Sequence, residues 1–461
     1  MAGGSHAEAR DRGAVVAHRG DARLTGDPGP GRDARATALD VLAEVGRGRR
    51  LDRAFGVRAS AMPPRERRFA QELAYGVVRL RGRLDHLLAA EVRGGLDRLS
   101  PGVLDLLRLG AYQLMRLDGV PDYAAVSATV DLARERGEGR AAGLINAVLR
   151  ALVRNGTGVE RFPDRELDAV GYLARYGSHP RWLVDRWLAS ASVDAVAARI
   201  EADNAVPPLF FVPAGDAAEA EGRIAALGGR AQPAGRGSGA LRVDEIDPAA
   251  LLAAVPGWIQ DPGAALVARY AHPPTGGIVA DLCAAPGGKA LYLARRAAYV
   301  VAADRSAPRL PPLRDNVARV GARIGVVRAR AEEPPVRGAD LVLVDVPCTG
   351  TGTLRRHPDA RWRLSAEAPQ EMARVQERIL NGVARSIPEG GLLVYSTCAL
   401  EPEENEERVA AFLESHPDFR IEPPDELDLP DVGDDGLLRV LPERTGFDGA
   451  FAARLRRGAA M

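Results

Sequence analysis

The chain has 461 residues, 46% of them hydrophobic, and its 62 Lys and Arg residues balance 62 Asp and Glu residues, so the formal net charge is zero. That length exceeds what one hydrophobic core organises, and no apolar run approaches the roughly 18–20 residues of a membrane helix, so a multidomain cytoplasmic protein with no membrane association is expected. Three cysteines exclude a disulfide framework, no Cys/His spacing resembles a zinc site, and no metal is expected.

Residues 1–32 are rich in Gly, Ala, Arg and Asp and lack the apolar core of a signal peptide, so they read as a disordered tail. From 33 to about 160 the apolar spacing is helical almost throughout. "ARATALDVLAEV" puts Ala38, Leu39, Leu42 and Val45 on one face, and segments such as "RRFAQELAYGVVRL" and "AAGLINAVLRALVRN" repeat that spacing between Gly, Pro and Ser breaks. An all-α bundle is predicted. Between Arg47 and Arg83 eleven arginines meet only Asp52, Glu66 and Glu72. This marks a phosphate-facing surface that includes Arg65, Arg67 and Arg68.

Residues 161–260 form a connecting region, with a helix in "HPRWLVDRWLASAS" and a strand, loop and helix in "PPLFFVPAGDAAEAEGRIAALGG", a small α/β subdomain. Over 261–461 the period changes. The runs "GIVADL", "YVVAAD", "IGVVRA", "DLVLVDV" and "GLLVYST" alternate with helical segments, which predicts parallel strands joined by helical crossovers. The acid-rich "EPEENEERV" reads as the first turns of a helix, where acids suit the dipole.

In an open parallel sheet ligands gather at the carboxyl ends of the strands, and three of these strands end in the three cysteines, Cys283, Cys348 and Cys398. "DLCAAPGGK" offers a turn of small residues from strand to helix. With Asp304 closing the next strand in the position that takes ribose hydroxyls, it reads as a site for an adenosine-containing cofactor. Lys289 in that turn is the only lysine in the chain, against 62 Lys and Arg in total. A compact ammonium there does what a planar guanidinium fork cannot. Paired thiols suit addition to C6 of a pyrimidine, because a thiolate both attacks and leaves well. Addition makes C5 nucleophilic, and Asp345 in "DVPC" is placed to stabilise the adduct near N3 and N4.

"DLCAAPGGK", "DVPCTGTG" with the following "LRRHPDARW", and "YSTCALEPEEN" together resemble the RNA cytosine-C5 methyltransferases of the Nol1/Nop2/Sun family, and the helical bundle resembles a NusB-type RNA-binding domain. "GWIQDPGAALV" and "GFDGAFAARLRR" also fit, so the resemblance covers nearly everything after the tail. It implies a NusB-like bundle ahead of a Rossmann-like class I methyltransferase domain acting on a cytosine of RNA, with 16S ribosomal RNA as the expected partner. By resemblance, Cys398 is the nucleophile and Cys348 assists release. S-adenosylmethionine lies along Cys283, Ala284, Ala285, Pro286, Gly287, Gly288 and Lys289, with Asp304 on the ribose, Asp345 between cofactor and base, and Lys289 facing the reacting centre. Arg355, Arg356 and Trp362, which mix cations with an aromatic, are expected to bind single-stranded RNA. Where the family has an acid near the adenine this chain has Arg330, followed by Glu332 and Glu333. A monomer is expected. Two alternatives stay open: the same chemistry on tRNA, and a non-enzymatic RNA-binding factor of antitermination type.

Overall fold

The computed structural model describes residues 34–425 and 428–458; the expected tail lies outside them. Seven α-helices make up the N-terminal bundle: α1 (Ala34–Gly46), α2 (Leu51–Arg58), α3 (Pro64–Arg79), α4 (Arg81–Glu91), α5 (Pro101–Arg116), α6 (Asp122–Glu135) and α7 (Ala142–Asn155). Local sequence explains their ends. Ser100 accepts a hydrogen bond from the Val103 amide, and Pro101 occupies the first helical position, where its missing N–H costs nothing. One apolar face of each helix enters a shared core containing Leu42, Leu73, Leu84, Leu106 and Leu149. Val41 of α1 is buried there too, whereas Val45 packs only at its margin.

Three helices, α8 (Ala169–Arg175), α9 (Arg181–Leu188) and α10 (Val193–Asn204), lead from the bundle to the small subdomain. That subdomain is a four-stranded antiparallel sheet of order β2-β3-β1-β4: β1 (Leu209–Pro213), β2 (Arg230–Pro233), β3 (Leu241–Asp244) and β4 (Gly257–Ile259). The apolar pattern reveals only β1 and the helix Ala217–Ala226 behind it, because three- and four-residue strands carry too few alternations to register.

The C-terminal part is built on β5 (Ile278–Asp281), β6 (Tyr299–Ala303), β7 (Ile324–Val327), β8 (Leu341–Asp345), β9 (Leu392–Thr397), β10 (Phe419–Ile421), β11 (Leu438–Val440) and β12 (Ala450–Arg457). The order is β10-β12-β9-β8-β5-β6-β7, with β11 beside β12. β5 to β9 are parallel, as the apolar runs predict. β12 pairs antiparallel with β9 and carries β10 and β11 on its other side, a strand that the apolar runs do not announce. The crossovers are uneven: the 17-residue helix Ala368–Ala384 joins β8 to β9, while a loop without a helix joins β7 to β8.

Burial alternates along the central strands. Val279, Leu341, Leu343 and Val394 pack on one face, against Leu266 and Tyr270 of the helix Pro262–Ala271. Ala280, Val342, Val344 and Tyr395 pack on the other, against Ile379 and Val383. Fully burying a side chain such as Leu343 contributes about 1.5–3 kcal/mol. A strand covered on both faces therefore needs the unbroken apolar run "LVLV". The chain leaves β5 for β6 and β7 on one side and returns to β8 on the other. The ends of β5 and β8 thus form the crevice where ligands settle.

Candidate active site

The thiols converge as the strand ends predict. Cys398 directly follows β9 and Cys348 follows β8; their Sγ atoms lie 3.2 Å apart, and the Cys398 amide donates to Cys348 Sγ at 3.4 Å. All three cysteines are free and half-buried. The Cys348 thiol is pushed well above its ordinary pKa, first by its hydrogen bond with Cys398 and then by burial. Burial likewise raises Cys283, with the Asp281 carboxylate adding to it.

Asp345 ends β8, and its two oxygens have different partners. Oδ2 accepts from Lys289 Nζ at 2.7 Å and Oδ1 from Ser396 Oγ at 2.8 Å. Burial by itself would drive the Lys289 ammonium towards neutrality. The Asp345 carboxylate outweighs that effect, with help from Asp281 and the Cys398 sulfur, and holds the pKa above the ordinary lysine value. The lone lysine is therefore a fixed cation between the cofactor-type turn and the thiols.

The turn after β5 ends at Gly287, whose φ of +108° suits glycine. Asp281, at the end of β5, is wholly buried, and neither of its carboxylate oxygens has a hydrogen-bond partner. Burial, reinforced by Asp345, raises its pKa to about 7. Asp304, after β6, accepts from the Ser306 amide at 2.9 Å, and its other oxygen lies 3.2 Å from Arg309. Three acids thus stand at the ends of three neighbouring strands. Arg330, by contrast, is exposed, with Glu332 at 3.8 Å.

Comparison with known proteins decides the class of this site. A family model described as 16S rRNA methyltransferase RsmB/F matches residues 269–456, and the NusB family model matches residues 32–154. Ribosomal RNA small subunit methyltransferase B of Thermus thermophilus is 38% identical, over 92% of this chain and 97% of its own length. The protein of that name from Vibrio cholerae is 32% identical over 92% and 97%. The chain belongs to the RsmB/F family of 16S rRNA methyltransferases. Among solved structures, that of PH0851 shares the fold at a TM-score of 0.74 and 23% identity, covering 92% of this chain and 99% of that one.

Membership of the RsmB/F family agrees with the bundle, the Rossmann-like sheet and the three motifs, but several side chains go elsewhere than their sequence neighbourhood implied. Arg355, expected on RNA, is 4% exposed: it donates to Asp448 at 2.6 Å and to Asp261 at 2.8 Å. Arg356 binds the same two acids, each at 2.7 Å. Both guanidinium groups are consumed in clamping the chain's end to the start of the catalytic half. Trp362 packs against the bundle core and donates its indole N–H to Val78 O at 2.8 Å, so it anchors the junction and is not a free stacking platform. The local mix of cations and aromatics could not distinguish an RNA groove from an interior seam.

The basic run also divides. Arg65, Arg67 and Arg68 are exposed at the start of α3. Arg79 is buried and donates to Arg355 O, and Arg83 lies 3.8 Å over the Tyr176 ring. Sequence reasoning missed Glu401 and Glu404 altogether. Of the acids assigned to a helix start, Glu406 and Glu407 do occupy the first turn of the helix Glu406–Ser415, but Glu401 and Glu404 are 2% and 0% exposed and bind the cysteine loops.

Among the described residues no group of three or more His, Cys, Asp or Glu side chains is arranged to hold a metal ion, and no helix is long and apolar enough to cross a membrane.

Proposed function

We propose that this RNA methyltransferase transfers a methyl group from S-adenosylmethionine to C5 of a cytosine in 16S ribosomal RNA through a transient bond between Cys398 and C6. The observation that carries this is the 3.2 Å approach of Cys348 and Cys398 on one rim with the Lys289–Asp345 ion pair. A non-enzymatic RNA-binding factor needs neither.

The residues present fit the cofactor. The orphaned Asp281 oxygens call for donors, and the three acids at the strand ends suit a ligand carrying an ammonium, ribose hydroxyls and a sulfonium. Cys283 to Lys289 and Asp304 would hold it. When bound, it supplies an electrophilic methyl group. Cys398 Sγ adds to C6, and the ring electrons move to C5, which becomes nucleophilic. Asp345, oriented by Lys289 and Ser396, would accept a hydrogen bond from the N4 amino group and hold the ring in place, while the Lys289 ammonium offsets the negative charge that the thiolate brings to the ring. Once C5 carries its methyl group, the C5–H electrons re-form the ring double bond as its proton is lost. The C6–S pair returns to Cys398. Cys348, beside the leaving sulfur, assists this release.

The target base must leave its stack to reach Cys398. Arg65, Arg67 and Arg68, exposed on α3, would bind RNA phosphates from the bundle, and work on ribosomal RNA implies a cytoplasmic location. With labelled cofactor and undermodified small-subunit RNA, Cys398→Ala should abolish turnover and retain RNA binding. Undiminished methylation in that variant would refute the mechanism.

A further inference from the structure

Residues 401–405 follow the Cys398 loop, yet most of their polar atoms reach back to the two cysteine loops. Glu404 accepts from the Thr349 amide at 3.0 Å, from the Thr349 hydroxyl, and from Gln376 Nε2 at 2.8 Å. Gln376 also donates to Pro347 O at 3.1 Å. The residues on either side of Cys348 are therefore both tied to one carboxylate. Glu401 accepts from the Thr351 hydroxyl and, at 3.2 Å, from the Leu400 amide, two residues beyond Cys398. Asn405 accepts from Thr397 at 2.6 Å and donates to Ala399 O at 3.0 Å, bracketing Cys398 from within its own segment. The Tyr395 hydroxyl, from β9, fixes Glu404 O at 2.5 Å.

Burying two carboxylates is costly unless each is well supplied with donors. A helix start would not require it, since acids there can remain in water. A carboxylate accepts only, and at Glu404 three donors converge; an amide of the same shape would turn an N–H against another donor. Burial also raises the Glu404 pKa to about 7, the expected result for a carboxyl this enclosed.

The geometry points to Glu404 as a positioning residue that sets the place of the Cys348 thiol opposite Cys398, and so governs how fast the covalent RNA adduct is released. This rests on the roles proposed above for the two thiols. Glu404 touches neither sulfur. It acts through Pro347 and Thr349, the neighbours of Cys348.

The test uses the full chain, S-adenosylmethionine and undermodified small-subunit RNA, and reads turnover, KM for RNA and the covalent protein–RNA fraction on a denaturing gel. Glu404→Gln should keep the KM within about twofold, lower turnover by about tenfold or more, and raise the adduct fraction towards that of Cys348→Ala. In the Cys348→Ala background, Glu404→Gln should add no further adduct, because two changes acting through one group are not additive. Thr349→Val removes one of the three donors with little change of shape and should give the same pattern more weakly, which covers failure of the first variant to fold. A wild-type adduct fraction in a folded Glu404→Gln or Thr349→Val protein overturns the inference, even with lowered turnover. If Cys348→Ala itself traps no adduct, the roles of the thiols fall, and this inference with them. If Cys348→Ala traps adduct and the Glu404 and Thr349 variants do not, only this inference falls.

Discussion

Lys289 shows how much one residue can carry. Arginine supplies every other cation of the 62 Lys and Arg residues, yet this position holds a compact ammonium 2.7 Å from Asp345. A guanidinium fork is wider and planar and would either displace Asp345 or enter the space of the reacting base. Lys289→Arg should therefore keep the fold and the charge while losing about 10–100-fold in turnover, the scale expected when a group is misplaced by an ångström. Activity within about twofold of wild type would show that charge alone suffices. Asp281 makes the converse point: both its carboxylate oxygens are buried without a hydrogen-bond partner, an arrangement that costs stability unless a bound ligand supplies the donors.

At the level of elements, the strands are placed by burial and the loops by contact with one another. The run "LVLV" of β8 has to lie between two covering layers, but nothing within it fixes where Cys348 ends up. That depends on how the loop after β8 meets the loop after β9. The Gly352 amide donates to Cys398 O at 2.9 Å, and Gly449 donates in turn to Gly352 O at 2.7 Å. A Cβ on Gly352 would come within 2.7 Å of Gly449 Cα and 2.8 Å of Cys398 O, both of them backbone atoms that cannot move aside cheaply. Gly352→Ala should therefore push the two cysteine loops apart. It should lower stability by about 1–3 kcal/mol in thermal unfolding and depress turnover more than RNA binding; unchanged melting and turnover would show that the loops yield.

Across the whole molecule, the segment after the Cys348 loop is the seam between bundle and catalytic half. Leu354 and Ala360 pack with Leu183 and Trp187 of the connecting helices. The Arg361 side chain is fully buried and donates to Asn204 at 2.8 Å and to Ser178 O at 3.1 Å. Burial lowers its pKa to about 10. Cationic surface available to RNA on the bundle therefore includes Arg65, Arg67 and Arg68 on α3, outside this seam. Reversing all three to Glu should weaken RNA binding, with melting unchanged, and flatten its dependence on salt by about one unit of slope for each phosphate no longer neutralised. An unaltered salt slope would assign RNA binding to another face. Sequence alone determined the helical bundle, the parallel strands, the turn of small residues after β5 and the strand-end cysteines, because periodicity and residue chemistry are local and survive without coordinates. Only the tertiary structure decided which arginines face water, that Trp362 anchors a seam, that β12 joins β9 antiparallel, and that Glu401 and Glu404 bind the cysteine loops. Burial and hydrogen-bond partnership depend on segments far apart in the chain, and a charged residue reads the same in a sequence whether it meets solvent or an interior partner.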